Sequence, residues 1–167
     1  MKVPILFKYS IILCAFFFTV SMAHAEDKAT NTAPVAVGFS STAKVTNIIG
    51  EAKYSKKGQA DWQILEKDVT LFEGDSIRTA KDSIVMVELM GTAKTADLVI
   101  KPESQFTLQT FSHDPGRKIE NTLLNVQAGS VLVKAQKLIG ESKFEVKTPT
   151  SIVGIRGTTF EVQVEKS

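Results

Sequence analysis

Thr159-Phe160-Glu161-Val162-Gln163-Val164 puts an apolar side chain at every second position. That period of two belongs to a strand with one face buried and the other wet. Moving outward, Phe106 and Leu108 alternate with Gln105, Thr107 and Gln109 in the same way. Ile84-Val85-Met86-Val87 and Leu98-Val99-Ile100 are unbroken apolar runs, which predicts strands covered on both faces. Val131 with Val133, and Phe144 with Val146, add two short strands. No window of a dozen residues carries a helical stripe. The nearest candidates, residues 63–72 and 121–126, are short or rich in β-branched and turn residues. The pattern predicts an all-β domain: short strands in a two-sheet sandwich or a β-roll, with little helix. Gly50, Gly74, Gly129 and Gly157 each stand at the entrance to an apolar run, where a glycine supplies a corner. Their spacing is too uneven for a repeat.

The other end of the chain reads as an address. Lys2 and Lys8 precede an uncharged apolar run from Ile11 to Val20, and Ala23-His24-Ala25 follows. This order is that of a cleavable secretory signal over residues 1–25, with Glu26 the new N-terminus. The apolar run is short for a membrane anchor, which needs about 20 residues. A lipoprotein site at Cys14 is disfavoured by bulky Leu13 before it and by the apolar residues after it. Residues 26–41 are small, polar or turn-favouring and read as a flexible leader or a tether, leaving 42–167 as one β domain. The expected location is the periplasm or the medium, with no membrane span after cleavage.

Removing the signal changes the charge. The chain has 20 Lys+Arg against 18 Asp+Glu, and Lys2 and Lys8 account for the excess. A neutral mature chain lacks the long-range field that draws nucleic acid, so no nucleic-acid partner is expected. The one cysteine also leaves with the signal, so no disulfide holds the domain and its core must suffice. In the expected mature chain one histidine and no cysteine make a zinc site implausible, and no Asp/Asn-rich calcium loop is present. Neither a metal nor a cofactor is expected.

Seven segments follow one another in a recognisable order. They are Gly50-Glu51-Ala52, Gly74-Asp75-Ser76-Ile77-Arg78-Thr79, Val85-Met86-Val87-Glu88-Leu89 and Val99-Ile100-Lys101-Pro102-Glu103-Ser104. Then come Gly129-Ser130-Val131-Leu132-Val133, Phe144-Glu145-Val146-Lys147-Thr148-Pro149 and Gly154-Ile155-Arg156-Gly157-Thr158-Thr159-Phe160-Glu161-Val162. The series resembles the FecR-domain family over roughly residues 44–164, most specifically in Arg-Gly-Thr-x-Phe after Thr-Pro. The resemblance implies a compact β-rich periplasmic domain, best known as the sensing part of regulators that relay siderophore-receptor signals to a cytoplasmic sigma factor. Those regulators place a cytoplasmic helical segment and a membrane span before this domain. Here a signal and a leader are expected instead, so anti-sigma activity is not carried over.

Few residues invite a chemical role. Gly154 and Gly157 flank Ile155-Arg156, so Arg156 projects a five-donor fork from a constrained backbone. It reads as a structural ion pair, with Asp75 beside Gly74 as first candidate partner, or as a ligand for a carboxylate or phosphate. Asp75 reads equally as a turn carboxylate that accepts backbone N–H bonds. Trp62 reads as a half-buried strand aromatic or a sugar-stacking platform. Lys56 and Lys57 lie in a basic hairpin end and could touch an anionic polymer. His113, in Ser112-His113-Asp114-Pro115-Gly116, reads as an exposed turn. No nucleophile-elbow sequence accompanies it, and no pair of acids stands out for glycoside hydrolysis. The expected function is a non-enzymatic binding domain that recognises a cell-envelope protein or glycan, with a sensory role open. An envelope polysaccharide hydrolase and a structural subunit of a surface assembly are the alternatives.

Overall fold

A computed structural model describes residues 41–165 apart from 92 and 115. The expected signal and nearly all of the expected leader lie outside the described residues. Within them there is no helix. Twelve strands form a single hydrogen-bonded sheet.

Four long antiparallel paths make up most of it, each bent once. The first is β1 (Thr42–Ile49) continuing through Gly50-Glu51 into β2 (Ala52–Ser55). After the two-residue strands β3 (Gln63–Ile64) and β4 (Thr70–Leu71), the second path joins β5 (Ser76–Thr79) to β6 (Ile84–Met90). The third joins β7 (Lys94–Ile100) to β8 (Gln105–Asp114), and the fourth is the 17-residue strand β9 (Ile119–Ala135). In one half the order is β2-β5-β8-β9; in the other it is β1-β6-β7-β9. β9 runs through both halves, so backbone hydrogen bonds and not loops alone unite them. β10 (Lys143–Lys147) lies parallel to the first part of β9, β11 (Ile152–Ile155) pairs with β10, and β12 (Thr159–Val164) pairs antiparallel with the second part of β9.

The bends fall on one line, which we call the seam. Consecutive ladder bonds fail at a bend, and the backbone groups released there need other partners. Short hydroxyl side chains supply them. Thr79 Oγ1 donates to the Lys101 carbonyl at 2.7 Å and accepts from the Ser104 N–H at 2.9 Å. Ser104 Oγ accepts from the Ser130 N–H at 2.9 Å and lies 3.1 Å from the Ser130 carbonyl. Ser83 Oγ accepts from the Glu51 N–H at 2.9 Å. All four hydroxyl-bearing residues of the seam are buried. The glycines facing them have no room for a side chain. Gly129 has a φ of +81°, and a Cβ there would lie 2.5 Å from Ser104 Cα; Gly50, at +77°, would bring one to 3.0 Å from Ser83 Cα.

Folding along the seam turns the inner faces of both halves onto a single core. Val45, Val85, Leu98, Ile100, Val131 and Val133 come from one half, and Ile77, Phe106, Leu108, Leu124, Phe144 and Val146 from the other. The expectation of double coverage for Ile84–Val87 and Leu98–Ile100 is corrected here. Val85, Val87, Leu98 and Ile100 are buried, whereas Ile84, Met86 and Val99 are half-exposed. The sheet closes around one core, and among the described residues no second layer covers its outer face. Residues 63–72 and 121–126, the best helical candidates, fall in β3 to β4 and in β9.

Ser104→Ala is expected to cost roughly 1–3 kcal/mol, because the Ser130 amide then lacks its buried acceptor. In a domain of this size that is a Tm fall of about 3–10 °C. Gly129→Ala should be worse than Gly58→Ala. Gly58 shares the positive φ, at +73°, but has nothing within 4 Å of its missing Cβ, so that variant bears only about 1 kcal/mol of backbone strain. Equal losses of Tm in the two glycine variants would contradict the close approach at the seam.

Candidate functional site

The turn before β5 ends in Asp75, whose side chain is only 3% exposed. Its carboxylate accepts from Lys56 Nζ at 2.8 Å and from the backbone N–H groups of Phe72 at 3.0 Å and Lys57 at 3.1 Å. The Lys56 ammonium also lies 5.3 Å from the ring centroids of both Tyr54 and Phe72. Gly74 has a φ of +91°, and the Lys57 side chain packs where its Cβ would be. The four residues Lys56, Lys57, Gly74 and Asp75 thus form a structural knot that holds the end of β2 against β5. Lys56 is committed to it, and Lys57 keeps its exposed ammonium 3.5 Å from Glu73.

Arg156 takes no part in this. β8, β9 and β10 intervene between β5 and β11, four strand spacings or about 19 Å. Arg156 is exposed and makes no ion pair among the described residues. The expected pairing with Asp75 is therefore replaced by Asp75 with Lys56. Gly157 has the constrained role foreseen for it: φ is +70°, and a Cβ would lie 2.7 Å from Lys137 Cα, where the chain leaves β9. Gly154 does not, because it is paired with Glu145 inside β11 and has open space around its missing Cβ.

Glu161 of β12 meets Lys101 Nζ at 2.6 Å and accepts a short hydrogen bond from Ser130 Oγ, which ties the last strand to the seam. The Lys101 and Ser130 hydrogen bonds hold its carboxyl below the ordinary value of 4.5.

His113 corrects another expectation. It belongs to β8, and its side chain is 2% exposed. Nδ1 lies 3.8 Å from Glu120 Oε1, while Glu120 Oε2 accepts from Thr95 Oγ1 at 2.8 Å. This contact joins the ends of the two halves farthest from the seam. The segment from Gln136 to Ser142, crossing from β9 to β10, covers a cleft of about 500 Å³ beside them. The turn expected over Ser112 to Gly116 falls further along: Ser112, His113 and Asp114 are still in β8, and turn residues are described at 116–118.

A second depression, about 580 Å³, lies on the outer face at β2, β3 and β5. Trp62 and Arg78 line it, with the guanidinium carbon 4.1 Å from the indole centroid. Arg78 Nε donates to Gln105 Oε1 at 3.0 Å. Trp62 is half-buried as expected, but it precedes β3 rather than lying in a strand and stacks on Arg78 rather than on the core; Arg78 was not legible in the sequence. Its significance comes from Trp62, sixteen positions away, which no local spacing reveals. Among the described residues no three His, Cys, Asp or Glu side chains gather as a metal site would require.

The fold and these sites define an all-β domain whose buried polar groups brace the structure. The chain belongs to the FecR family: the family model described as FecR protein matches residues 75–167, from the start of β5 onward. No curated protein and no solved structure matched the chain.

Asp75→Ala is expected to cost roughly 3–5 kcal/mol, since it strands Lys56 and two backbone donors. Arg156→Ala should stay within about 0.5 kcal/mol of wild type. A double-mutant cycle should show coupling between Asp75 and Lys56 and none between Asp75 and Arg156. For Glu161 the folded-state pKa is lowered, so its stabilisation is present above the ordinary glutamate range and disappears as pH falls through the folded value. Thermal melts of wild type and Glu161→Gln should therefore converge as the pH is taken from about 6 toward 2; a constant gap would refute this role.

Proposed function

We infer that the chain is an exported recognition domain that binds another component of the cell envelope, a protein or a glycan, and catalyses no reaction. Membership of the FecR family supports a sensory or regulatory setting. Export rests on the signal-like N-terminus. Among the described residues no helix is long and apolar enough to cross a membrane.

The observation that carries the reading is the edge formed by β11. Among the described residues it pairs only with β10, and from Ile152 to Ile155 it bears no charged side chain. Ile152 is 62% exposed and Val153 44%. Proteins ordinarily protect such edges with charge or brevity. β3 and β4 have two residues each, and β12 carries Glu161, but β11 has neither device. An extended segment of a partner would complete it through main-chain hydrogen bonds, with Ile152 and Val153 selecting its side chains.

The test compares wild type with Val153→Lys, which places a charge on the edge and should leave Tm within about 2 °C. Wild type immobilised on resin should retain a component of an envelope extract that the variant does not. Identical recoveries would reject the edge as the binding surface. Release of reducing ends from envelope polysaccharide would replace this reading by hydrolysis. A stoichiometric complex surviving gel filtration would assign an assembly subunit in place of a transient sensor.

A further inference from the structure

A row of side chains crosses the outer face of the half built on β2, β5 and β8. Ile64 of β3 is opposite Lys53 of β2, Lys53 opposite Arg78 of β5, and Arg78 opposite Gln105 of β8. Residues directly opposite one another share a face, so the four lie side by side, with Trp62 stacked on Arg78. Ile64 is 74% exposed.

Arg78 is oriented before any ligand arrives. The indole fixes the plane of its guanidinium, and Gln105 occupies Nε. Among the described residues no hydrogen bond occupies its two terminal nitrogens, which form a fork with the geometry that matches a carboxylate. Neither Arg78 nor Lys53 has a carboxylate within ion-pair distance among the described residues. Two neighbouring cations without acidic partners are a charge arrangement that an anion completes. The rest of the groove is not suited to a bare anion. Trp62 and Ile64 offer apolar surface for the C–H face of a sugar ring, and Glu51 at the seam end offers a hydroxyl acceptor.

We propose that the groove formed by Lys53, Trp62, Ile64 and Arg78 binds a uronic-acid residue of an acidic polysaccharide. The carboxylate lies on Arg78 and Lys53, the ring against Trp62 and Ile64, and a hydroxyl on Glu51. This deepens the recognition reading by naming a glycan chemistry, and it uses a face other than the β11 edge.

Trp62 is the sole tryptophan of the chain, so its fluorescence reports occupancy directly. Wild-type protein is titrated with oligogalacturonate, with an alginate oligomer, with neutral galactan oligomers and with polyglutamate. At least one of the two uronates is expected to shift the emission, with affinity falling as salt is raised. Galactan, which lacks the carboxylate, and polyglutamate, which lacks the ring, are expected to bind at least tenfold more weakly. Arg78→Gln should weaken uronate binding about tenfold or more, and Lys53→Gln several-fold, with Tm little changed. Calorimetry of Trp62→Ala provides the same comparison without the fluorophore.

Absence of binding to both uronates, or undiminished binding by Arg78→Gln, would overturn the proposal. Equal affinity for polyglutamate would reduce it to a carboxylate site and overturn the glycan. Failure to bind either uronate, with an envelope component still retained by wild type and lost by Val153→Lys, would sink the groove while leaving the recognition function standing.

Discussion

The seam is the constraint on which the rest of the structure depends. Bending a sheet breaks its ladder, and the freed N–H and C=O groups are costly to bury unpaired. Here Thr79, Ser83 and Ser104 return those bonds within a few ångströms, while Gly50 and Gly129 let the neighbouring backbone approach the hydroxyls. Only because all four paths bend on one line do the inner faces of both halves meet in one core. The Gly-Glu, Pro-Glu-Ser and Gly-Ser segments that mark the FecR resemblance are therefore mostly the chemistry of a corner.

This has a consequence for function. The knot at Asp75, the Glu161 tie to Lys101 and Ser130, and the His113–Glu120–Thr95 contact all brace the ends and edges of a sheet. Their polar groups are engaged with each other. The two surfaces proposed for recognition lie outside: an uncharged strand edge at β11 and a cation pair beside an indole on the opposite side of the same half. Such a division suits a domain that presents surfaces, since its bracing does not have to be disturbed when a partner binds.

Much of the fold was legible because strand periodicity is local. The alternation around Phe106 and Phe160, the absent helical stripe and the corner glycines all correspond to observed features. The expectation for Arg156 failed because an ion pair is a relation in space. Arg156 and Asp75 each adjoin a glycine in the sequence, but three strands separate them, whereas Lys56 is carried to Asp75 by the pairing of β2 with β5. His113 misled for a different reason: a turn signal marks the vicinity of a turn, and a displacement of a few residues decides whether a side chain points into a cleft or into water.

By itself the sequence determined the all-β character, the corner glycines and the family, because composition and near-neighbour sterics carry that information. Only the tertiary structure decided that the strands fold along a shared seam, that Lys56 answers Asp75, that β11 is left as an open edge and that Arg78 lies on Trp62. Each of these depends on strand order and register. A register is set by which apolar faces can be buried together, so it belongs to the whole sheet and is written in no single stretch of it.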